Sequence, residues 1–174
     1  PEYFENDDLT DHGKFDSNAV SNPFYRIDKK IDFDWTDQQP VVESSTEFAP
    51  WLNKKKIGPD FFSARWTGLV KPDHSEVYTF SAEVDDGIRV WVDDLLVMDY
   101  WYVHSREVDG TIALMGSTMY NIKVEYRDIT GNATIRFRWR SKSQTKEVVP
   151  SAKFYHATTS TSLSWPPLNT VDTV

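Results

Sequence analysis

The sequence predicts an all-β protein, an antiparallel β-sandwich with long N-terminal loops, and three observations carry that prediction. Apolar and polar residues alternate with period two through the middle of the chain. Short breaks containing Asp, Gly or Asn separate the alternating runs. No stretch holds a helical apolar stripe over three turns.

The runs follow one another along the chain. Residues 5–60 are polar and loop-rich, with one strand around Ile31, Phe33 and Trp35. Phe62, Ala64 and Trp66 mark the next strand. Tyr78, Phe80, Ala82 and Val84 then alternate with Thr79, Ser81 and Glu83, and Ile88, Val90 and Val92 with Arg89, Trp91 and Asp93. Tyr120, Ile122, Val124 and Tyr126 form a further apolar face, as do Ala133, Ile135, Phe137 and Trp139. One apolar and one polar face per run is the pattern of antiparallel strands covering a core on one side. Turns are expected at Asp85–Gly87, Asp93-Asp94, Asp109-Gly110, Gly116-Ser117 and Gly131-Asn132, as a meander requires. The sandwich is expected over residues 1–157. Residues 158–174, rich in Ser, Thr and Pro, read as a linker or tail unless Trp165 docks back. The chain holds no internal repeat.

At 174 residues the chain suits one well-buried domain. Its 19 Lys and Arg against 27 Asp and Glu give a formal charge of -8. That balance argues against nucleic acid or an anionic bilayer as partner, since both demand local positive charge, and it suits a divalent cation. There is no cysteine, which excludes a disulfide-framed fold. No apolar run approaches a membrane span, so no membrane insertion is expected. A start at Pro1, with neither Met nor signal sequence, reads as a fragment of something larger with neighbouring domains.

Motifs for catalysis are absent. His12, His74, His104 and His156 are scattered, and there is no serine elbow, phosphate-cradling glycine loop or cysteine nucleophile. "DDLTDHGKFDSNA", residues 7–19, fails as a helix-loop-helix calcium loop. With Gly13 at the sixth position, Thr10 and His12 stand where carboxylates or amides are needed, and Ala19 where the bidentate Glu should be. A paired-carboxylate site is not ruled out by composition, but nothing in the motifs marks an enzyme.

One stretch is informative. "EVDDGIRVWVDDLLV", residues 83–97, carries Asp85-Asp86 and Asp93-Asp94 at opposite ends of one strand. Ile88 to Val92 spans roughly 17 Å, so the two pairs cannot share an ion. Either pair suits a turn, because Asp tolerates turn geometry. A metal site demands more. Neighbouring residues in a strand point to opposite faces, so two adjacent carboxylates grip one ion only where the backbone leaves strand geometry, as at a cis peptide. Calcium, which takes six to eight oxygens, suits such a grip. Gly87 follows the first pair and frees the chain to turn, whereas Leu95 follows the second. Farther on, "DYWYVHS", residues 99–105, offers Tyr102 and His104 as a stacking platform for a sugar ring, with Trp101 expected in the core. Asn53-Lys54-Lys55-Lys56 reads as a solvated loop.

"FFSARWTGLVKPDHSEVYTFSAEVDDGIRVWVDDLLVMDYW" resembles the protective-antigen-type (PA-14) β-sandwich domain, a jelly-roll-type fold. The likeness rests on the Phe62–Gly68 strand, Tyr78-Thr79-Phe80, the Asp-Asp-Gly tip and the Arg89–Asp93 run. It extends to "PEYFENDDL", "MYNIKVEYRDITGNATIRFRW" and "VVPSAKFY", in the right order over residues 1 to 155. The resemblance implies a module of adhesins, carbohydrate-active enzymes or bacterial toxins. In its sugar-binding members a cis-linked Asp-Asp pair holds Ca2+ and a second loop completes the coordination. By position the pair is Asp85 and Asp86. The second loop is Asp128 to Asn132, with a carboxylate from Asp128 and backbone or amide oxygens from Thr130 and Asn132. The ion then keeps open sites for two vicinal hydroxyls of a glycan, so Asp85, Asp86, Asn132, Tyr102 and His104 are the expected ligand-binding residues. The family's hairpin at Asp93-Asp94 is a turn. Asn132-Ala133-Thr134 is also a glycosylation sequon. The absence of cysteine, usual in fungal sugar-binding relatives, points to a bacterial source where the sequon is idle.

The function expected is calcium-dependent glycan binding by an extracellular adhesin or secreted protein. The alternatives are a non-catalytic accessory domain of a glycoside hydrolase, or a structural or pro-domain of a secreted toxin.

Overall fold

The structure is a computed structural model that describes residues 2–4, 24–25, 28–38, 40 and 58–156. Residues 7–19, the loop Asn53–Lys56 and the segment 158–174 with Trp165 lie outside the described residues. Among the described residues twelve strands appear in chain order: β1 (Glu2–Phe4), β2 (Phe24–Tyr25), β3 (Asp32–Thr36), β4 (Phe62–Val70), β5 (Glu76–Asp85), β6 (Gly87–Val92), β7 (Leu95–Tyr100), β8 (Arg106–Leu114), β9 (Tyr120–Asp128), β10 (Ala133–Arg140), β11 (Glu147–Val148) and β12 (Phe154–Tyr155). Among the described residues the only helical element is a 3-10 turn at Ser151–Lys153.

The strands form two antiparallel sheets. One runs β2-β1-β4-β9-β6-β7, with β12 sharing the β1 edge of β4; the other runs β11-β10-β5-β8, with β3 sharing the β11 edge of β10. Alternation in the sequence becomes alternation in space. Tyr78, Phe80, Ala82 and Val84 of β5 and Ile135, Phe137 and Trp139 of β10 are buried, and they face Ala64, Trp66, Val90, Val124 and Tyr126 of the opposite sheet. Phe80 and Phe137 stack with centroids 5.4 Å apart, and Tyr78 tilts onto Trp139 at 5.3 Å. Each such ring removed from water contributes roughly 1.5–3 kcal/mol.

A second aromatic chain leads to one end of the sandwich. Phe33 stacks on Trp35 at 4.9 Å, and Trp35 meets Phe62 edge-on at 5.5 Å and Tyr126 at 5.8 Å. Asp28 anchors its far end, its Oδ2 accepting from Tyr3 Oη and Trp66 Nε1, both at 2.8 Å.

Two turn expectations separate here. Asp93 and Asp94 form the two-residue tip between β6 and β7, both with positive φ (45° and 63°), as a hairpin of this hand requires. Asp109-Gly110, by contrast, is not a turn. The pair lies inside β8, opposite Ser81 and Phe80 of β5. The glycine serves packing instead: a Cβ at Gly110 would fall 2.2 Å from the Val97 carbonyl oxygen and 2.8 Å from Met98 Cγ. Bare backbone at that point lets β7 of one sheet close on β8 of the other.

Candidate functional site

The end of the sandwich reached by the aromatic chain gathers the acidic residues. β5 finishes at Asp85, Asp86 makes a bend, and β6 begins at Gly87. The Asp85-Asp86 peptide is cis. β6 lies beside β9, with Gly87 opposite Arg127, so Asp86 and the last residue of β9, Asp128, come together. A Cβ at Gly87 would meet Arg127 Cγ and Nε at 3.1 Å and the Tyr100 carbonyl at 3.3 Å, which only glycine accommodates without displacement. The bend is fixed from three sides. Asp86 N donates to the Arg127 carbonyl at 3.3 Å, Ile129 N donates to Asp86 Oδ2 at 2.8 Å, and Tyr126 Oη donates to the Asp85 carbonyl. Asp60, just before β4, accepts from Gly131 N at 2.9 Å and so ties the second loop to the β4 end.

The electrostatics of this cluster are unusual. Asp128 is 0% exposed and Asp86 2%. Both carboxylate oxygens of Asp128 are buried without a hydrogen-bond partner. Burial, then the charges of Asp86, Asp60 and Asp85, push the Asp128 carboxyl up to about 7. Asp85 is likewise raised, first by burial and then by the charge and hydrogen bond of Asp86, while His104 pulls it down. Burial and the charges of Asp128, Asp86 and Asp85 hold the Tyr126 phenol well above its ordinary value. A buried carboxylate with no donor is costly, and either a proton or a cation relieves it. The donors are all oxygen, the chemistry of a hard cation. Among the described residues no group of three or more His, Cys, Asp or Glu side chains is arranged to hold a metal on its own. An ion here has to draw further ligands from backbone carbonyls, amides or water.

The remaining predicted residues divide. Thr130 and Asn132 sit exposed on the loop between β9 and β10, next to Asp128 in sequence. Tyr102 is 65% exposed, its ring 5.3 Å from Tyr100, which in turn lies under the Arg106 guanidinium. His104 is exposed near enough for its charge to be felt at Asp85. Trp101 is not in the core. It is half-buried between two guanidiniums, Arg89 at 4.5 Å and Arg127 at 4.8 Å, and Arg127 Nη2 donates to its carbonyl at 2.7 Å. Cation–π contacts replace burial in apolar surroundings at this position. Asp93 is far from the cluster, at the other end of β6, where its Oδ1 accepts from Asn121 N at 2.6 Å. Asp60 is not marked by any motif in the sequence, and although Phe61 and Tyr126 lie in stretches that carry the family resemblance, nothing there singles out the Phe61 ring or the Tyr126 hydroxyl. The turn-forming Gly58-Pro59 ahead of Asp60 is the one signal for the first of these.

Comparison with known proteins places these features in context. A profile described as the PA14 domain matches residues 2–153. The chain is 41% identical over 133 residues to the anti-sigma-I factor RsgI3 of Acetivibrio thermocellus, covering 76% of this chain and 19% of that protein. It is 31% identical over 94 residues to the protective antigen of Bacillus anthracis, covering 52% of this chain and 12% of the antigen. A solved structure of an anti-sigma factor domain-containing protein from Clostridium clariflavum is similar with a TM-score of 0.72 at 35% identity, over 90% of this chain and 46% of that one. The chain thus spans less than half the length of each of these relatives.

Proposed function

This chain belongs to the PA14 domain family, and on that premise we propose that it is a non-catalytic module binding glycans through a calcium ion. The observation that carries the reading is Asp128, a carboxylate wholly buried beside Asp85 and Asp86 with neither oxygen hydrogen-bonded. A divalent cation neutralises that cluster, and calcium's tolerance of mixed oxygen ligands suits a site that mixes carboxylates with loop carbonyls. Asp85, Asp86 and Asp128 would hold the ion, with Thr130 and Asn132 supplying loop oxygens. The ion would supply a Lewis-acidic point for two vicinal sugar hydroxyls. His104, whose charge is felt at Asp85, and Tyr102 on the same loop would receive the sugar ring.

A second reading concerns the parent chain. The relatives described as anti-sigma factors favour a regulatory protein, in which occupancy of this module by an extracellular carbohydrate is passed to another segment. That reading and the adhesin reading share the same site and differ in what lies beyond it.

A glycan array probed with the purified protein in calcium, and again in excess chelator, tests the proposal. Signal confined to the calcium buffer supports it. Equal signal in both buffers, or loss of signal that is not reproduced by Asp85→Asn with Asp86→Asn in a folded protein, contradicts it. No signal in either buffer assigns the cluster to a structural ion site or a turn.

A further inference from the structure

The sheet order places an uncommitted aromatic ring on each side of the carboxylate cluster. Asp86 and Asp128 lie at the ends of the neighbouring strands β6 and β9. Their outer neighbours in the same sheet are β4 and β7. Phe61 immediately precedes β4, whose first residue, Phe62, pairs with Asp128. Tyr102 follows β7, whose last residue, Tyr100, pairs with Ile88. Three inter-strand steps separate β4 from β7, about 14 Å, which is wider than one hexose ring.

Both rings are held outward. Phe61 is 59% exposed and has a left-handed backbone (φ 57°), a conformation that is rare for a bulky residue. It meets no other aromatic ring among the described residues, although the sandwich directly behind it is lined with aromatics. Residues held in such sparsely populated conformations cluster at ligand sites. Tyr102 is propped from beneath by Tyr100, its hydroxyl without a hydrogen-bond partner among the described residues. An exposed apolar ring on each side of a polar centre is the layout of a stacking face longer than a single sugar.

We infer that Phe61 and Tyr102 are the two outer contacts of an extended binding face, and that its ligand is an internal stretch of a polysaccharide whose linkage leaves each residue a vicinal hydroxyl pair. The inference rests on the carbohydrate reading above and adds the ligand's length and linkage. A residue inside a 1,4-linked chain keeps O2 and O3 free as a vicinal pair. It can therefore chelate an ion at the centre while its neighbours continue to either side. A terminal sugar or a free monosaccharide covers at most one of the two rings. 1,2- and 1,6-linked residues also keep a vicinal pair, whereas a 1,3-linked residue, with O3 spent, keeps none.

The test is calorimetry in calcium with four length series, each from the monosaccharide to the hexasaccharide: 1,4-linked xylose, mannose and galactose, and 1,6-linked glucose. In the series that binds, affinity is expected to rise from the monosaccharide to the trisaccharide and then level off. Phe61→Ala is expected to weaken trisaccharide binding roughly tenfold, leaving monosaccharide affinity and the calcium titration as in the wild type, whereas Tyr102→Ala is expected to weaken both sugars with the calcium titration unchanged. An unchanged calcium titration shows that each variant keeps its site intact. Equal affinity for monosaccharide and trisaccharide overturns the inference, as does a Phe61→Ala variant with the wild-type length dependence. If no series binds in calcium but terminal or branched glycans do on the array, this inference fails and the carbohydrate reading stands. Failure of all sugars fells both.

Discussion

Replacing Asp128 with asparagine should remove most of the protein's stabilisation by calcium and make its stability less dependent on pH. The wild-type carboxyl lies at about 7 in the folded protein, against about 3.9 in an unfolded chain. Between those values the folded state carries a proton that the unfolded chain has shed. Stability therefore falls as pH rises across roughly pH 4 to 7 and levels off above. The full difference corresponds to about 4 kcal/mol, and relaxation and water penetration bring the expected value to about 2–4 kcal/mol. The side-chain amide of the Asp128→Asn variant cannot ionise, and it can donate to the neighbouring carboxylates. Without calcium the variant and the wild type should be equally stable near pH 4, and the variant more stable by that amount at pH 8. On the proposed calcium reading the ion takes the ionised site, and a concentration one hundred times the dissociation constant should stabilise the wild type by about 2.7 kcal/mol. The variant should gain far less. The assay is urea unfolding of both proteins at several pH values, in chelator and in calcium. A difference that does not change with pH, or a variant less stable than the wild type at pH 8 in chelator, would refute the reasoning.

Three further outcomes follow from other parts of the molecule. Gly110→Ala should destabilise the sandwich by about 3 kcal/mol, read as a lowered urea midpoint, because the new Cβ meets the Val97 carbonyl at 2.2 Å. Asp94→Gly should raise the midpoint, by about 0.5–1 kcal/mol, since the turn holds this residue at φ 63°. Its calcium titration should match the wild type. Trp101→Ala should leave calcium affinity within about twofold while weakening glycan binding, because it removes the surface on which Arg89 and Arg127 fix the loop bearing Tyr102 and His104; calorimetry with each ligand separates the two effects.

The sandwich is legible in the sequence wherever a strand has one wet and one dry face. β5, β6, β9 and β10 alternate as the period-two pattern requires, and apart from half-buried Tyr120 their apolar-face residues are buried, although Ser81 and Glu125 on the other face are buried as well. β7 and β8 carry no such pattern. Leu95 and Leu96 are exposed side by side, and Gly110 interrupts β8 with the residue that usually marks a turn. What decides Gly110 is the approach of a strand from the other sheet, which no local window contains. Trp101 departs from expectation for a related reason. Large aromatics are mostly buried by apolar neighbours, but this one is covered by two arginines that the β6–β9 pairing brings to it.

At the site, Asp85-Asp86 stands out because two acids precede a glycine where a strand ends. The role of Asp128 comes with the family resemblance. Its isolation does not, because an orphaned carboxylate is a property of three-dimensional packing. Asp60 is remote from the other acids in sequence and reaches them only through the pairing of Phe62 with Asp128.

The most direct test of the account is a calorimetric titration of calcium into the protein at pH 8, beside the same titration of Asp86→Asn. The account predicts one ion bound per chain and loss of that binding in the variant, whose circular dichroism remains that of a folded β-protein. Absence of calcium binding by the wild type, or undiminished binding by Asp86→Asn, would contradict it.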